Sequence, residues 1–295
     1  MNTRPNSSPP LPKTESANIA GQLTEARQRL ATAGIEAAGL EARLLVGHLL
    51  GMSSAAMIAH GDRALSVAQT EAIRNLVGER VSGRPIAYLL GQREFWSLPL
   101  RVDERCLIPR PETELLVERA LRRLPDGAAR VIDLGTGSGA IVLALLAERP
   151  RLEAWGSDAS ADALAVAADN AKRLERTVHW FRGRWLEAVA PRPLFDVIVS
   201  NPPYVDPSDP HLESGDLRFE PRAALVAGDG GLADLATIAE QSHARLCSGG
   251  WLLLEHGYDQ APAVRALLAR HGFLEVTSHR DPAGLERITE GRRPG

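Results

Sequence analysis

Apolar segments of strand and helix length alternate along the second half of the chain, and this alternation restricts the possible folds more than any other feature of the sequence. Predicted strands fit residues 131–134, 152–158, 178–181, 195–200, 250–255, 274–279 and 286–289, and predicted helices fit residues 140–148, 161–174, 232–246 and 261–271. Strands and helices in alternation form a parallel sheet with helices packed on both of its faces. The pattern therefore predicts an α/β fold over residues 128–295.

The first part of the chain has a different pattern, which predicts a small helical domain over residues 18–90. Leucines recur there at helical spacing, and Ser66 followed by Gln69 has the form of a capping box. This stretch has no cluster of catalytic residue types, so we interpret it as a packing or docking domain. Residues 1–17 are rich in proline and serine without an apolar run, which predicts a disordered tail and no signal peptide.

Residues 91–127 predict a hairpin followed by a linker. Apolar and polar residues partly alternate over residues 94–103, as they do in a short hairpin. Two prolines within residues 107–114 disfavour helix, and Thr113 can then begin a helix that runs through Arg123.

Composition and charge exclude several classes of protein. The net charge of -3 gives no overall basic field that would attract nucleic acid or a membrane surface. No apolar run approaches the roughly 20 residues that span a bilayer. Cys106 and Cys247 lie far apart in apolar surroundings, which predicts packing roles in a reducing cytoplasm. The histidines show no metal-binding spacing, so we expect no metal.

A glycine-rich turn joins the first strand of the α/β domain to its first helix, and it consists of Gly135, Thr136, Gly137, Ser138 and Gly139. Glycines let the backbone turn sharply and approach a ligand closely. The spacing differs from the G-x-G-x-x-G of dinucleotide-binding enzymes, and Asp133 precedes the first glycine. A carboxylate suits a ligand with an ammonium group, so the turn predicts S-adenosylmethionine. The alternatives are a nicotinamide site, a tight turn without a ligand, and an Asp133 that only pins the turn.

A second acidic residue, Asp158, ends the second predicted strand of this domain. A carboxylate at the end of that strand can accept hydrogen bonds from both hydroxyls of a ribose. Elsewhere a lone aspartate is more often a helix cap or a surface charge. Its place beside the glycine-rich turn favours ribose binding.

The fourth predicted strand of the domain ends directly in the Asn-Pro-Pro-Tyr loop, which is Asn201, Pro202, Pro203 and Tyr204. Ligands bind at this edge of open α/β sheets. The two prolines remove N–H donors and stiffen the loop, so carbonyl acceptors and the Asn201 side-chain oxygen remain. That set matches an NH2 group, which has two hydrogens to donate. A proline-stiffened surface turn is the alternative.

Amide and aniline-type nitrogens are poor nucleophiles because their lone pair is delocalised. If Asn201 and the Pro202 carbonyl accept both N–H hydrogens, the lone pair becomes localised and is directed at the methyl donor. No strong general base is then needed before transfer. The Tyr204 ring can cover the planar substrate group.

With these residues, the chain from about residue 21 to its end resembles the bacterial peptide chain release factor glutamine methyltransferase family. Four further stretches carry the resemblance: residues 91–96 (GQREFW), 107–114 (LIPRPETE), 219–225 (FEPRAAL) and 255–257 (EHG). The resemblance implies a seven-stranded, Rossmann-like class I methyltransferase domain, preceded by a helical domain and a hairpin linker. It also implies transfer from S-adenosylmethionine to N5 of the glutamine in a Gly-Gly-Gln loop of release factors.

The resemblance also implies roles for single residues. Residues 135–139 match the cofactor loop, Asp158 the ribose acid, and residues 201–204 the glutamine-binding loop, with Asn201 also near the cofactor methyl group. Phe95 matches an aromatic residue of the glutamine pocket, and Trp185 a position against the cofactor adenine. Many relatives carry an acid just before that tryptophan, where this chain has Arg184, which cannot accept a hydrogen bond from the adenine amino group.

Two other functions use the same features. An adenine-N6 methyltransferase would bind a flipped base in the same loop, but it should have a basic groove or a target-reading domain. A cofactor-binding scaffold without activity would not need an intact Asn-Pro-Pro-Tyr loop. We therefore expect a cytoplasmic, monomeric enzyme that binds release factors and neither nucleic acid nor membranes.

Two charged residues have open roles. Arg110 is expected to pair with Glu112, Glu114 or a partner's carboxylate, or to hold the linker. Glu255 is expected to form an internal ion pair or a site contact.

Overall fold

A computed structural model describes residues 18–213 and 215–295, and this part of the chain divides into two compact units, the first ending at Leu90 and the second beginning at Gly91. The tail predicted for residues 1–17 lies outside the described residues. No helix within the described ranges is long and apolar enough to cross a membrane.

The first unit is helical, as the leucine spacing predicts. Its helices are α1 (Ile19–Thr32), α2 (Ala38–Leu50), α3 (Ser54–Ala59), α4 (Val67–Val81) and α5 (Ile86–Leu90). Ser66 caps α4 in a complete capping box with Gln69, so that prediction is confirmed. Gly51 ends α2 in the left-handed conformation that favours glycine. The helices enclose their own apolar core around Leu30, Leu45 and Ile73.

The second unit begins with the predicted hairpin, formed by β1 (Gln92–Phe95) and β2 (Leu98–Arg101). Trp96 and Ser97 make the turn between the strands, both with positive φ, as a two-residue hairpin turn requires. Phe95 and Leu100 anchor the hairpin in the core of the unit, where each is almost fully buried. The next helix, α6 (Glu114–Arg123), starts after Thr113 as predicted.

The remaining strands are β3 (Arg130–Leu134), β4 (Glu153–Asp158), β5 (His179–Arg182), β6 (Phe195–Ser200), β7 (Leu246–Glu255), β8 (Leu274–Arg280) and β9 (Glu286–Arg292). The helices between them are α7 (Ala140–Glu148), α8 (Ala161–Arg173), α9 (Ala233–His243) and α10 (Ala261–Arg270). Within the described residues these strands form one seven-stranded sheet in the order β5-β4-β3-β6-β7-β9-β8. The predicted α/β class with its helical and hairpin additions is confirmed.

The prediction of a parallel sheet holds for β3 to β7 and is wrong for the last two strands. β9 inserts between β7 and β8 and pairs antiparallel with both. A short turn, and no helix, joins β8 to β9, and such a connection permits only antiparallel pairing. β7 also begins four residues earlier than predicted. Its first part contains Gly249 and Gly250 and is irregular, and the register of its pairing with β6 shifts there.

The central strands are apolar on both faces, which the sequence also predicts. Val131 and Val197 point into a core beneath α6 and α7, and the alternate residues Ile132 and Ile198 point into a second core beneath α9 and α10. Burial on both faces is typical of a parallel strand at the centre of a sheet. The two cores fix the positions of the strand ends, where the candidate site lies.

Glu290 on β9 is a buried carboxylate that we expect to contribute strongly to stability. Its Oε1 accepts hydrogen bonds from Arg119 Nη2 at 2.8 Å and from Arg123 Nη2 at 2.5 Å, while the ring of His279 lies 2.9 Å away. Burial opposes its ionisation, but hydrogen bonds from His279, Arg123 and Arg119 outweigh burial and hold the pKa of Glu290 far below its ordinary value of 4.5. Glu290→Gln is expected to lower the free energy of unfolding by about 3 kcal/mol at pH 7, since it leaves two arginines without their anion.

Chemical denaturation of the wild type and the variant at several pH values checks this prediction. A depressed pKa stabilises the fold above the unfolded-state pKa and less as the pH falls, so the difference should shrink below about pH 4.5. Glu275→Gln is the matched control, because Glu275 pairs with Arg292 at 2.7 Å with 55% of its side chain exposed. The control should change stability by less than about 1 kcal/mol. Equal effects of the two variants would contradict the prediction.

Candidate active site

The candidate site lies where the strand order reverses, between the carboxyl ends of β3 and β6. From β3 the chain proceeds outward through β4 and β5, and then returns to the other side of β3 as β6. Open α/β sheets bind ligands at such a switch point. A cavity of about 460 Å³ opens here, lined among others by Gly135, Gly137, Asp158, Trp185 and Asn201.

The glycine-rich turn follows β3 and forms one wall of the cavity. Gly135, Gly137 and Gly139 have φ values of 67°, 56° and 84°, all in the left-handed region that favours glycine. A Cβ on Gly135 would lie 3.2 Å from the Trp185 ring, and one on Gly139 would lie 3.1 Å from Leu143. Backbone conformation thus requires all three glycines, and close packing requires two of them.

The other residues of the turn serve its structure. Thr136 and Ser138 are buried, and the Thr136 hydroxyl donates to Asp133 Oδ2 at 2.6 Å. The Ser138 carbonyl accepts from Asn170 Nδ2 at 2.9 Å. Burial raises the pKa of Asp133 to about 7 against the lowering effect of the Thr136 hydrogen bond. Asp133 does not line the cavity, so this geometry favours the alternative in which it pins the turn.

Asp158, at the end of β4, lies across from the glycine-rich turn and lines the cavity. Its Oδ2 accepts from the Gly137 backbone N–H at 3.0 Å, and its Oδ1 accepts from the Ser160 N–H at 2.9 Å. The cap of α8 is Ser160, whose hydroxyl accepts from the Ala163 N–H. Asp158 is therefore not the helix cap, and its carboxylate is held at the cavity with lone pairs left for a ligand.

The Asn-Pro-Pro-Tyr loop follows β6 and forms the opposite wall. Asn201 and Pro203 line the cavity, whereas Pro202 is buried and the Tyr204 side chain packs against the second core. Asn201 Nδ2 donates to the Thr113 hydroxyl at 3.2 Å. The Tyr204 carbonyl accepts from Gln260 Nε2 at 3.0 Å, which ties the loop to the start of α10.

The Tyr204 hydroxyl donates to Glu255 Oε1 at 3.4 Å. Burial raises the pKa of Tyr204 above its ordinary value, with the nearby charge of Glu255 acting in the same direction. Burial also raises the pKa of Glu255 to about 7, while a hydrogen bond from Thr113 and the charge of Arg287 oppose the rise. Glu255 thus makes an internal contact beneath the Asn-Pro-Pro-Tyr loop.

Phe95 does not reach the cavity in this arrangement. It is only 2% exposed and packs with Leu100 and Leu116 in the first core. Its place in a glutamine pocket stays a prediction.

Asp234 is a site residue that sequence reasoning missed. It lies in the first turn of α9 and lines the cavity with only 7% exposure. Its Oδ1 accepts from Trp185 Nε1 at 3.1 Å and from Arg184 Nη2 at 2.9 Å. An acid in the first turn of a helix is an ordinary helix start in sequence, so no local signal distinguishes it. A carboxylate is thus present beside Trp185 although the preceding residue is Arg184.

Two chain segments that complete the cavity wall are joined by Glu220. These segments supply cavity-lining residues within the ranges 105–107 and 221–226. The buried Glu220 accepts from the Ile108 N–H at 3.0 Å and forms an ion pair with Arg110. Arg110 therefore pairs with neither Glu112 nor Glu114 and holds the linker against the cavity wall. Within residues 18–213 and 215–295, no group of three His, Cys, Asp or Glu side chains is arranged to hold a metal ion.

The fold and the site define a methyltransferase. The fold is a seven-stranded sheet with an antiparallel last pair, and the site is a cavity between a glycine-rich turn and an Asn-Pro-Pro-Tyr loop. Residues 22–91 match the family model described as the PrmC N-terminal domain, and residues 111–232 match the methyltransferase small domain. The chain belongs to the release factor glutamine methyltransferase family, as its curated relatives show.

The relatives named release factor glutamine methyltransferase include proteins from Salmonella typhimurium and Bordetella pertussis. The first is 49% identical over 253 residues, which cover 85% of this chain and 91% of the relative. The second is 51% identical over 253 residues, which cover 85% of this chain and 94% of the relative. A solved methyltransferase structure from Pyrococcus furiosus is 18% identical, with a TM-score of 0.52 over 75% of this chain and 99% of that one, and so shares the fold.

Proposed function

We propose that this enzyme transfers a methyl group from S-adenosylmethionine to the side-chain amide nitrogen, N5, of the glutamine in the Gly-Gly-Gln loop of peptide chain release factors. The observation that carries the proposal is the Asn201 carboxamide, which lines the cavity beside the glycine-rich turn and Asp158 in a member of this family. When bound, S-adenosylmethionine supplies the methyl group and leaves as S-adenosylhomocysteine.

The residues of the cavity fit this cofactor. Asp158 offers a carboxylate for the ribose hydroxyls, and Gly135 and Gly137 let the backbone approach the ligand without a Cβ. Trp185 offers an aromatic wall for a purine, and Asp234 beside it offers an acceptor for an amino group. Thr136 and Ser138 are buried and stabilise the turn.

Asn201 and the Pro202 carbonyl would accept the two hydrogens of the substrate amide. These contacts localise the nitrogen lone pair and stabilise the positive charge that grows on nitrogen during transfer. The nitrogen then loses one proton to water, so no base is needed beforehand. In this role Pro203 and Tyr204 keep the loop rigid, and the acceptors need not reorganise during the reaction.

Asp158→Asn is expected to raise the dissociation constant for S-adenosylmethionine by about tenfold to a hundredfold, because hydrogen bonds to a charged acceptor contribute about 1.5–3 kcal/mol. Isothermal titration calorimetry measures the change. Asp162→Asn is the matched control, since Asp162 is exposed in the first turn of α8. The assignment would be contradicted if Asp162→Asn raised the dissociation constant for S-adenosylmethionine as much as Asp158→Asn does. An Asp158→Asn variant with wild-type affinity would also contradict it.

The partners follow from the substrate. We propose release factors as the protein partners, with the monomer as the active form, in the cytoplasm. Burial raises the pKa of Cys106 to about 11, which makes it an unreactive packing residue.

The decisive experiment incubates the enzyme with methyl-labelled S-adenosylmethionine and a release factor. One arm uses the wild-type release factor and a second arm uses a release factor with the Gly-Gly-Gln glutamine replaced by alanine. We expect label in the first arm alone. Equal labelling of both would overturn the glutamine assignment, and labelling of DNA or RNA in a third arm without labelling of protein would favour an adenine-N6 methyltransferase.

A further inference from the structure

Thr113 occupies the N-cap position of α6, yet its hydroxyl does not cap the helix. The side chain makes no capping hydrogen bond, although threonine is a favoured residue at this position because of that bond. The hydroxyl instead accepts from Asn201 Nδ2 at 3.2 Å, and the threonine is only 4% exposed. Thr113 has helical backbone angles, and its side chain bonds the Asn-Pro-Pro-Tyr loop.

Glu255 is a buried carboxyl group next to the Asn-Pro-Pro-Tyr loop. β6 and β7 are paired in parallel with Ser200 opposite Leu254, so the next residues, Asn201 and Glu255, leave the sheet side by side. Glu255 is 1% exposed, its Oε1 accepts from the Tyr204 hydroxyl at 3.4 Å, and the Thr113 hydroxyl lowers the pKa of its carboxyl group. A hydrogen bond therefore joins Asn201 to Thr113, and the buried Glu255 Oε2 has no hydrogen-bond partner among the described residues.

The chemistry of these groups sets the direction of each bond. A carboxylate only accepts hydrogen bonds, so the Glu255 charge attracts the single hydrogen of the Thr113 hydroxyl. The Thr113 oxygen is then left as an acceptor, and it pairs with the NH2 end of the Asn201 carboxamide. The oxygen end of the same carboxamide consequently turns toward the cavity.

We propose that Thr113 is a positioning residue that fixes the Asn201 carboxamide with its oxygen toward the substrate nitrogen. The inference rests on the proposed function, because only a substrate with an NH2 group needs an acceptor at this point. A carboxamide turned the other way would present its own N–H groups to the substrate N–H groups. Thr113 thereby favours an amide substrate over one that offers an acceptor.

Thr113→Val tests the proposal, because it replaces the hydroxyl with a methyl group of similar size and removes no helix cap. At pH 8, above the Glu255 pKa of about 7, kcat for release factor methylation should fall by about tenfold to a hundredfold. KM and the cofactor dissociation constant should stay within about threefold, since the ground-state contacts remain. Thr113→Ser keeps the hydroxyl and should recover most of the lost kcat.

A second measurement does not depend on activity. The side-chain NH2 resonances of Asn201 can be assigned in a 15N-labelled protein by their loss in Asn201→Ala. One of the two protons should be protected from exchange in the wild type and in Thr113→Ser, and should lose that protection in Thr113→Val. Should Thr113→Val fail to fold, Thr113→Ala makes the same test with a smaller side chain.

The outcomes separate this inference from the proposed function. A wild type that methylates the release factor, together with a Thr113→Val variant of unchanged kcat and unchanged Asn201 protection, overturns the inference alone. A wild type that labels no release factor overturns the proposed function, and the exchange measurement still decides whether Thr113 holds the Asn201 amide. A loss in KM and stability without a loss in kcat would assign Thr113 a structural role and also overturn the inference.

Discussion

Asn201→Ala is expected to lower kcat/KM for release factor methylation by about a hundredfold to a thousandfold, a loss typical of removing one preorganised group at a reacting centre. The variant removes the acceptor that would hold the substrate nitrogen, and it leaves the glycine-rich turn and Asp158 in place. Affinity for S-adenosylmethionine should change by less than about fivefold, as it would for one lost neutral contact. Steady-state kinetics with the release factor and calorimetry with the cofactor measure the two quantities.

The matched control is Asn75→Ala, an exposed asparagine on α4 of the helical unit. It should leave both kinetics and cofactor affinity at the wild-type level. If Asn201→Ala lost cofactor affinity and activity in equal proportion, Asn201 would act through the cofactor and the proposed contact with the glutamine would be wrong. Retention of a third or more of the activity would count against any role in catalysis.

Gly231→Ala should produce the second large effect, through the backbone of the Asn-Pro-Pro-Tyr loop. Gly231 has a φ of 84°, and a Cβ there would lie 2.0 Å from the Tyr204 carbonyl oxygen and 2.6 Å from Gln260 Nε2. The Tyr204 carbonyl must move, and the Gln260 hydrogen bond that anchors it must break. Left-handed strain and overpacking together should lower the free energy of unfolding by about 3 kcal/mol.

Activity should suffer beyond the loss of stability, because a loop shift of about 1 Å can cost about a hundredfold in rate. Thermal or chemical unfolding and kcat/KM at a temperature where the variant is folded measure the two effects. Gly230→Ala is the control: Gly230 also has positive φ, at 60°, but a Cβ there would meet nothing within 4 Å. It should cost only about 1–2 kcal/mol and leave kcat/KM near the wild-type value. Equal effects of both alanines would show that strain alone, and no contact with the loop, explains the result.

Local patterns in the sequence were sufficient for most of the fold. The capping box of Ser66, the apolar strand at residues 195–200 and the three spaced glycines each depend on neighbours within a few residues, and each is found where it was predicted. Asp158 and Asn201 were identified because each ends a strand, and strand ends in an open parallel sheet meet at one edge. The role of each in binding or catalysis stays a prediction that the experiments above test.

The errors and omissions involve partners that are distant in sequence. The antiparallel insertion of β9 depends on which neighbour offers a free strand edge, and the early start of β7 depends on its register with β6. Glu220 bonds the backbone of Ile108, which is 112 residues away along the chain. No periodicity or motif spacing encodes such a pair.

The sequence by itself determined the elements, their order and the chemical types at the strand ends, because hydrophobic periodicity, glycine conformation and proline stiffness are local properties. Only the tertiary structure decided how those groups are used. It buried Asp133 and Phe95 outside the cavity lining, brought Asp234 to Trp185, and brought the Thr113 hydroxyl to Asn201. The reason is that the direction of a side-chain hydrogen bond depends on which donors and acceptors packing brings within 3.5 Å, and packing joins residues that the chain keeps far apart.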